Sequence, residues 1–182
     1  PPTVFAELPQ LLERSGPGAA GQGDITGLYT VLVDGDDMNE PVADAVRGVL
    51  DGHVVLDRAI AEQGRFPAVN IQKSISRMLP GCHSPAEYAV LQAARRSLAR
   101  HADMEELIRI GAYKDGSDEE VDAAIRFARP ADVFLSQRKG EAMGADESFA
   151  EIYRMLGEAG INVTLPKAPQ PPAPLRRADP AG

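Results

Sequence analysis

From residue 25 to residue 33 the chain reads Ile-Thr-Gly-Leu-Tyr-Thr-Val-Leu-Val, a nearly continuous apolar run with β-branched and aromatic side chains. That pattern predicts a strand covered on both faces, as in a parallel sheet, and the glycine-rich stretch 16–23 before it predicts a loop. Asn39 and Pro41 then supply a cap and a first-turn proline, and Val42, Ala45, Val46, Val49 and Leu50 follow at helical spacing, closing near Gly52. A short β-branched segment at 53–56 predicts a strand. Residues 58–63 with Gly64 behind them predict a helix with a C-terminal glycine. Strand and helix therefore alternate as far as Leu79, the order of an α/β fold.

Beyond Pro80 the period is helical only. Residues 85–110 carry Leu91, Ala94, Leu98, Ala102, Met104, Leu107 and Ile108 on one drifting stripe, with Arg95, Arg96, Arg100, Asp103, Glu106 and Arg109 largely off it. Ser117 and Glu120 have the spacing of a capping box before 121–128, Pro130 is expected to reopen a helix through Phe134 and Leu135, and Phe149, Ile152, Tyr153 and Leu156 form a last apolar face. Val4, Phe5, Leu8, Leu11 and Leu12 suit a short amphipathic helix at the start. The closely spaced prolines of 165–182 favour extended conformers, and that tail is expected to be disordered. The opening Pro1-Pro2-Thr3, with no initiator methionine, is expected to be a cut within a longer protein.

The 27 acidic against 19 basic side chains give a formal net charge of -8 over 182 residues, which argues against a surface that binds nucleic acid throughout. The run 25–33 is about half of a membrane span, one cysteine forms no internal disulfide, and no secretory leader pattern opens the chain, so the expected location is the cytoplasm. The glycine loop GPGAAGQG lacks the Lys-Ser or Lys-Thr that closes a phosphate cradle, and in Lys73-Ser74 the preceding glycine is replaced by Gln72. His53, Cys82, His83 and His101 share no ligand spacing, so no metal site is expected. The segment Asp34-Gly35-Asp36-Asp37-Met38-Asn39-Glu40 departs from a calcium loop. It is either a solvated turn capping the helix at Pro41 or a contact loop at the C-terminal edge of a sheet.

Residues 29–80, YTVLVDGDDMNEPVADAVRGVLDGHVVLDRAIAEQGRFPAVNIQKSISRMLP, closely resemble the flagellar protein-export ATPases of the type III secretion ATPase family. The likeness extends through PPTVFAELPQLLERSG at the start and ADMEELIRIGAYKDGSDEEVDAAI at 102–125, and rotary ATP synthase catalytic subunits are similar to it more distantly. The resemblance implies the C-terminal part of a RecA-like P-loop NTPase domain (residues 1–80), an all-α C-terminal domain (81–160) and a proline-rich tail (161–182). It also implies a homohexamer that hydrolyses ATP with Mg at subunit interfaces to energise export and chaperone release. The P-loop, the Mg ligands and the catalytic Glu are expected outside this chain, so the chain alone is expected to be inactive.

Residue by residue, the resemblance places Arg77 of SISR at the arginine-finger position, and Phe66 and Pro67 of RFPAVN where an aromatic ring meets adenine. Phe66 stands where the family usually has tyrosine. A surface ion pair for Arg77 and core packing for Phe66 are the structural alternatives. Asp36, Asp37 and Glu40 match the loop that faces a central stalk protein. Segment 113–122 falls where the rotary relatives carry an acidic lever loop, and no stalk contact is assigned to it. Further implied partners are a stator or regulator protein, export chaperones and their substrates, with peripheral association at the cytoplasmic face of the inner membrane. An injectisome ATPase, or a noncatalytic module binding chaperone or stalk, is the alternative.

Overall fold

The computed structural model describes residue 7, residues 9–33, residue 35 and residues 40–166. The calls on 1–6, on Leu8, on Asp36 and Asp37, and on the tail beyond 166 lie outside the described residues. The chain divides into two units: Pro1–Leu79 with Arg129–Ala142, and Pro80–Ala128 with Met143–Gly182. The segment 129–142, expected within the helical domain, thus packs with the N-terminal unit.

In the first unit, α1 (Pro41–Val49) has proline in its first turn, Asp44 near its positive end and Arg47 near its negative end, which all favour the helix. It buries Ala43 and Val46 and stops where Leu50 turns extended. The cap is Glu40, whose side chain makes no capping hydrogen bond, and Asn39, the expected cap, lies outside the described residues. Strand β1 (Gly52–Leu56) pairs antiparallel with β2 (Val69–Ser76), and α2 (Arg58–Glu62) lies between them in sequence. Gly52 is required where it stands, because a Cβ there would lie 2.6 Å from the carbonyl oxygen of Ile75. Gly64 ends the α2 turn at φ +86°, as its position predicts.

The register of the ladder is uneven. Gly52 and His53 face Ser76 and Ile75, and Val55 and Leu56 face Asn70 and Val69, so residues 71–74 of β2 are set against Val54 alone. This is an enlarged bulge. The expected buried strand at 25–33 does not form: among the described residues only Ile25 makes a bridge, to Gly16, and Leu28 and Leu32 are both 94 % exposed. A strand needs neighbours for its N–H and C=O groups, and the described sheet has two strands, antiparallel, neither beside this run. The glycine loop is closed by that same bridge. Its Gly18 amide donates to the Asp24 carboxylate at 3.1 Å, which leaves that amide committed within the loop.

The second unit is helical. α3 (Pro85–Arg109) starts on a reciprocal capping box, with Glu87 N–H donating to Ser84 Oγ and Ser84 N–H to Glu87 Oε2. Those bonds hold the Glu87 carboxyl below the usual carboxylate range. α4 (Glu119–Leu135) is capped by Asp118, which accepts from Glu120 and Val121, rather than by Ser117, whose hydroxyl donates to Lys114. Pro130 does not break it: a proline forfeits one backbone bond inside a helix, and the helix continues to Leu135. The core of this unit draws Val90, Ala93 and Ala94 from α3, Val121, Ala124 and Phe127 from α4, and Met155 and Leu156 from α5 (Ala145–Glu158). Arg126 Nε donates to Ala159 O at the end of α5, a favourable place for a cation. Of the predicted apolar face, Leu156 is buried whereas Tyr153 is exposed.

Leu156→Ala should therefore destabilise the helical unit by about 2–5 kcal/mol, the cost of emptying a packed leucine site, and Tyr153→Ala should cost far less. Urea denaturation followed by far-UV circular dichroism measures the difference.

Candidate functional site

The two ends of β2 carry the sequence-predicted residues. Phe66 and Pro67 lie just before the strand and are exposed, Phe66 to 59 %, so core packing is not the environment of this ring. The Phe66 carbonyl accepts from Gln137 N–H at 2.8 Å. Next to it, Arg65 pairs through Nε with Asp132 at 3.0 Å and donates through Nη2 to Val69 O, while its Nη1 is buried without a partner. These bonds fasten segment 129–142 behind the ring. Asp132 and Gln137 carried no signal in the sequence, because nothing local announces a contact with residues more than sixty positions away.

Arg77 follows the other end of β2. Its amide donates to Asp51 O at 2.7 Å, and its guanidinium donates to Gly48 O at 3.2 Å and Arg47 O at 3.1 Å, the last carbonyls of α1. Among the described residues no carboxylate lies within ion-pair distance of it, so the surface ion pair is not the arrangement seen. The Ala68 carbonyl meets Asp57 N–H and the Arg77 amide meets Asp51 O. The two candidate ends are thus separated along β1 by the stretch 51–57, roughly 20 Å at about 3.3 Å per residue. Glu40 is half-buried at the start of α1.

Asp57 organises the strand between those ends. Its carboxylate caps α2 through Ala59 N–H at 3.1 Å and accepts from Asn70 Nδ2 at 2.9 Å and Lys73 Nζ at 2.8 Å. Asn70 Oδ1 in turn accepts from Lys73 N–H, and Ser74 Oγ, donating to Asn70 O, accepts from Val55 N–H. The bulge is thereby held by side chains where the ladder cannot hold it. The ammonium and amide donors of Lys73 and Asn70 pull the Asp57 carboxyl down to about 2. An aspartate before a helix is a legible cap, but its grip on Asn70 and Lys73 was not legible. A buried carboxylate in the other unit, Asp122, accepts from Tyr113 Oη at 2.8 Å and Gly116 N–H at 2.9 Å, is held below its ordinary value chiefly by the Tyr113 hydroxyl, and shapes the 113–122 loop.

Residues 1–76 match the nucleotide-binding domain of the ATP synthase alpha/beta family, and residues 83–154 match the C-terminal domain of the type III secretion ATPase EscN. The chain is 56 % identical over 160 residues to a flagellum-specific ATP synthase of Caulobacter vibrioides, covering 85 % of this chain and 36 % of that protein. It is 45 % identical over 158 residues to the SPI-2 type 3 secretion system ATPase of Salmonella typhimurium, covering 87 % and 36 %. Among solved structures, the assembled ATPase EscN of enteropathogenic E. coli in complex with its central stalk EscO matches at a TM-score of 0.73 and 36 % identity, over 86 % of this chain and 36 % of that one. The chain thus spans about a third of the length of these relatives. No helix among the described residues is long and apolar enough to cross a membrane.

Because the folded Asp57 value lies below the ordinary one of 3.8, its contribution to stability is complete above about pH 4 and is lost as pH falls towards 2. Asp57→Asn should lower the melting temperature at pH 7 and flatten the melting profile between pH 4 and 2. Differential scanning fluorimetry across that range checks it, and an unchanged acid limb would contradict the network.

Proposed function

The chain belongs to the family of type III secretion and flagellar export ATPases, as a C-terminal portion, and from that premise we propose that it supplies the trans phosphate contact and the adenine contact of an ATP-hydrolysing homohexamer. On this reading residues 1–80 are the end of a RecA-like domain and 81–160 the helical domain. Arg77 reaches from one subunit to the γ-phosphate of the nucleotide held by its neighbour, and Phe66, with Pro67 beside it, lies against adenine. The observation that carries the reading is the state of Arg77: a cation at a strand end, held by neutral carbonyls, with no carboxylate of the described residues within ion-pair distance. Such a guanidinium keeps its full charge for phosphate oxygens and breaks no ion pair on meeting them.

The exposed Phe66 ring supports the second contact, since a flat apolar face suits a base. Set off opposite ends of one strand, the two residues are suited to two different nucleotides, one in the same subunit and one in the next. ATP is the substrate. Magnesium, which neutralises phosphate charge when bound, would be held by groups outside this chain. Among the described residues no three His, Cys, Asp or Glu side chains stand together for it. Glu40, with Asp36 and Asp37, is assigned to the central stalk, whose counterpart in the EscN complex is EscO. Stator, chaperone and substrate contacts, and a peripheral place at the cytoplasmic face of the inner membrane, complete the reading. Flagellar export is the reading adopted, with an injectisome its alternative: the relatives at 56 % and 51 % identity are both flagellum-specific ATP synthases, while others of that name, at 41–45 %, stand level with the SPI-2 ATPase at 45 %.

In the assembled full-length protein, Arg77→Ala should lower ATP turnover on the order of a hundredfold or more, within the span of known arginine fingers, with little change in nucleotide binding. Normal turnover would remove Arg77 from the site. Phe66→Ala should weaken ATP binding by roughly 1–3 kcal/mol, as loss of base stacking does, and Phe66→Tyr should leave it nearly unchanged; equilibrium titration with a fluorescent ATP analogue distinguishes these.

A further inference from the structure

The ring of Phe66 is 59 % exposed, so packing does little to set its direction. The backbone of the turn 65–69 sets it instead, and that turn is held by hydrogen bonds of two kinds. The first are local: Arg65 N–H donates to Ile60 O at 3.3 Å, and Ala68 O accepts from Asp57 N–H at 2.9 Å. The second bring in the end of α4 and the residues after it. Phe66 O accepts from Gln137 N–H at 2.8 Å. The Arg65 side chain spans the turn, donating through Nη2 to Val69 O at 3.1 Å while its Nε pairs with Asp132 at 3.0 Å. That side chain is 12 % exposed, and Asp132 is the one carboxylate of the described residues within ion-pair distance of it. A guanidinium so far out of water needs its countercharge. Because Nη1 is already buried without a partner, Arg65 has no spare bond to keep it in place once Asp132 is neutralised.

We propose that Arg65 and Asp132 form a clasp that positions the Phe66 ring for adenine, so that the grip on the base is set from the last turn of α4. The proposal rests on the reading of Phe66 as the adenine contact. Arg65 and Asp132 are positioning residues and do not themselves touch the nucleotide. A ring that must be ordered as the base arrives gives up part of the stacking free energy to lost freedom, whereas a ring held beforehand keeps it. Asp132 holds Arg65, Arg65 holds the turn through Val69 O, and the turn holds the ring. Arg77 has no part in this chain of contacts, since its hydrogen bonds run to Arg47, Gly48 and Asp51. Loosening the clasp therefore weakens the binding of ATP and leaves the turnover of bound ATP in place, a split that a general loss of structure does not produce.

The test uses the assembled full-length protein as wild type, Asp132→Asn, Asp132→Glu, Arg65→Lys, Phe66→Ala and the double variant Asp132→Asn with Phe66→Ala. Affinity is read by equilibrium titration with an ATP analogue labelled on the ribose, which leaves the base unmodified, and kcat is read at saturating ATP. Arg65→Lys keeps the charge but loses Nε and the planar fork. It and Asp132→Asn should each weaken binding about threefold to tenfold, the coupling of groups in one network, with kcat within about twofold of wild type. Asp132→Glu keeps the carboxylate and should recover most of that loss. In the Phe66→Ala background Asp132→Asn should cost nothing further, because its whole effect passes through the ring. An equal cost in both backgrounds, or a fall in kcat with binding unchanged, makes the pair a structural fastening only and overturns the proposal. Wild-type binding by Asp132→Asn beside weakened Phe66→Ala also overturns it, and leaves the adenine reading standing. Wild-type binding by Phe66→Ala removes that reading and the proposal together. The Asp132 side chain is 65 % exposed, so its variants should fold; if Asp132→Asn nevertheless fails to assemble, Arg65→Lys takes its place in the cycle and decides by the same outcomes.

Discussion

The carboxylate of Asp57 is the point on which the N-terminal unit depends. It takes donors from three places in the sequence, the first turn of α2, Asn70 and Lys73, and so joins the end of β1 to a strand that leaves its register there. An antiparallel pair interrupted by residues 71–74 loses ladder hydrogen bonds over that stretch, and the backbone groups released must find other partners. Ser74 Oγ, Asn70 Oδ1 and His53 Nε2 are those partners. Without this network nothing would fix how far β2 advances beyond the bulge, and the strand carries Phe66 before it and Arg77 after it. The spacing of the two candidate contacts is thus set by side-chain hydrogen bonds rather than by the ladder alone.

At the Arg77 end the choice of acceptor decides what the guanidinium can do. A carboxylate within 3 Å would hold it by Coulomb attraction that any incoming anion would have to replace. The carbonyls of Arg47 and Gly48 hold it by two hydrogen bonds and by the negative end of a nine-residue helix, a weaker grip that still fixes direction. Orientation is kept and charge is left unneutralised. The salt bridges elsewhere in the unit behave differently: Arg65 is largely buried and paired with Asp132, which suits a structural fastening rather than an exchangeable contact.

What the sequence disclosed follows the range of the interactions concerned. α1, β1, α2 and α3 were legible within a few residues because their signals are local: Pro41, the β-branched run at 53–56, Gly64 and the apolar stripe from 85. Asp118 took the cap expected of Ser117 because its carboxylate reaches two amides of the first turn, a rivalry that spacing alone cannot settle. Pro130 misled for a related reason: its cost is one backbone bond, and a helix that buries Val121, Ala124, Phe127 and Ala131 outweighs it. The run 25–33 failed most clearly. Its composition encodes a strand with neighbours on both sides, and no neighbour is present among the described residues, so pattern and structure part there.

The same distinction separates the two ends of the candidate site. Arg77 is seated by residues twenty-nine and thirty positions earlier, through one helix and one strand that adjoin in the fold. Phe66 is seated by Gln137, and its neighbour Arg65 by Asp132, across most of the helical region of the sequence. A motif can therefore name the ring but not what holds it. The seating of Phe66 depends on the chain returning from α4 to the N-terminal unit, whereas that of Arg77 is made within α1, β1 and β2. Changes in segment 129–142 bear on the seating of Phe66 and leave the hydrogen bonds of Arg77 in place, so the two ends of β2 can be altered separately within one fold.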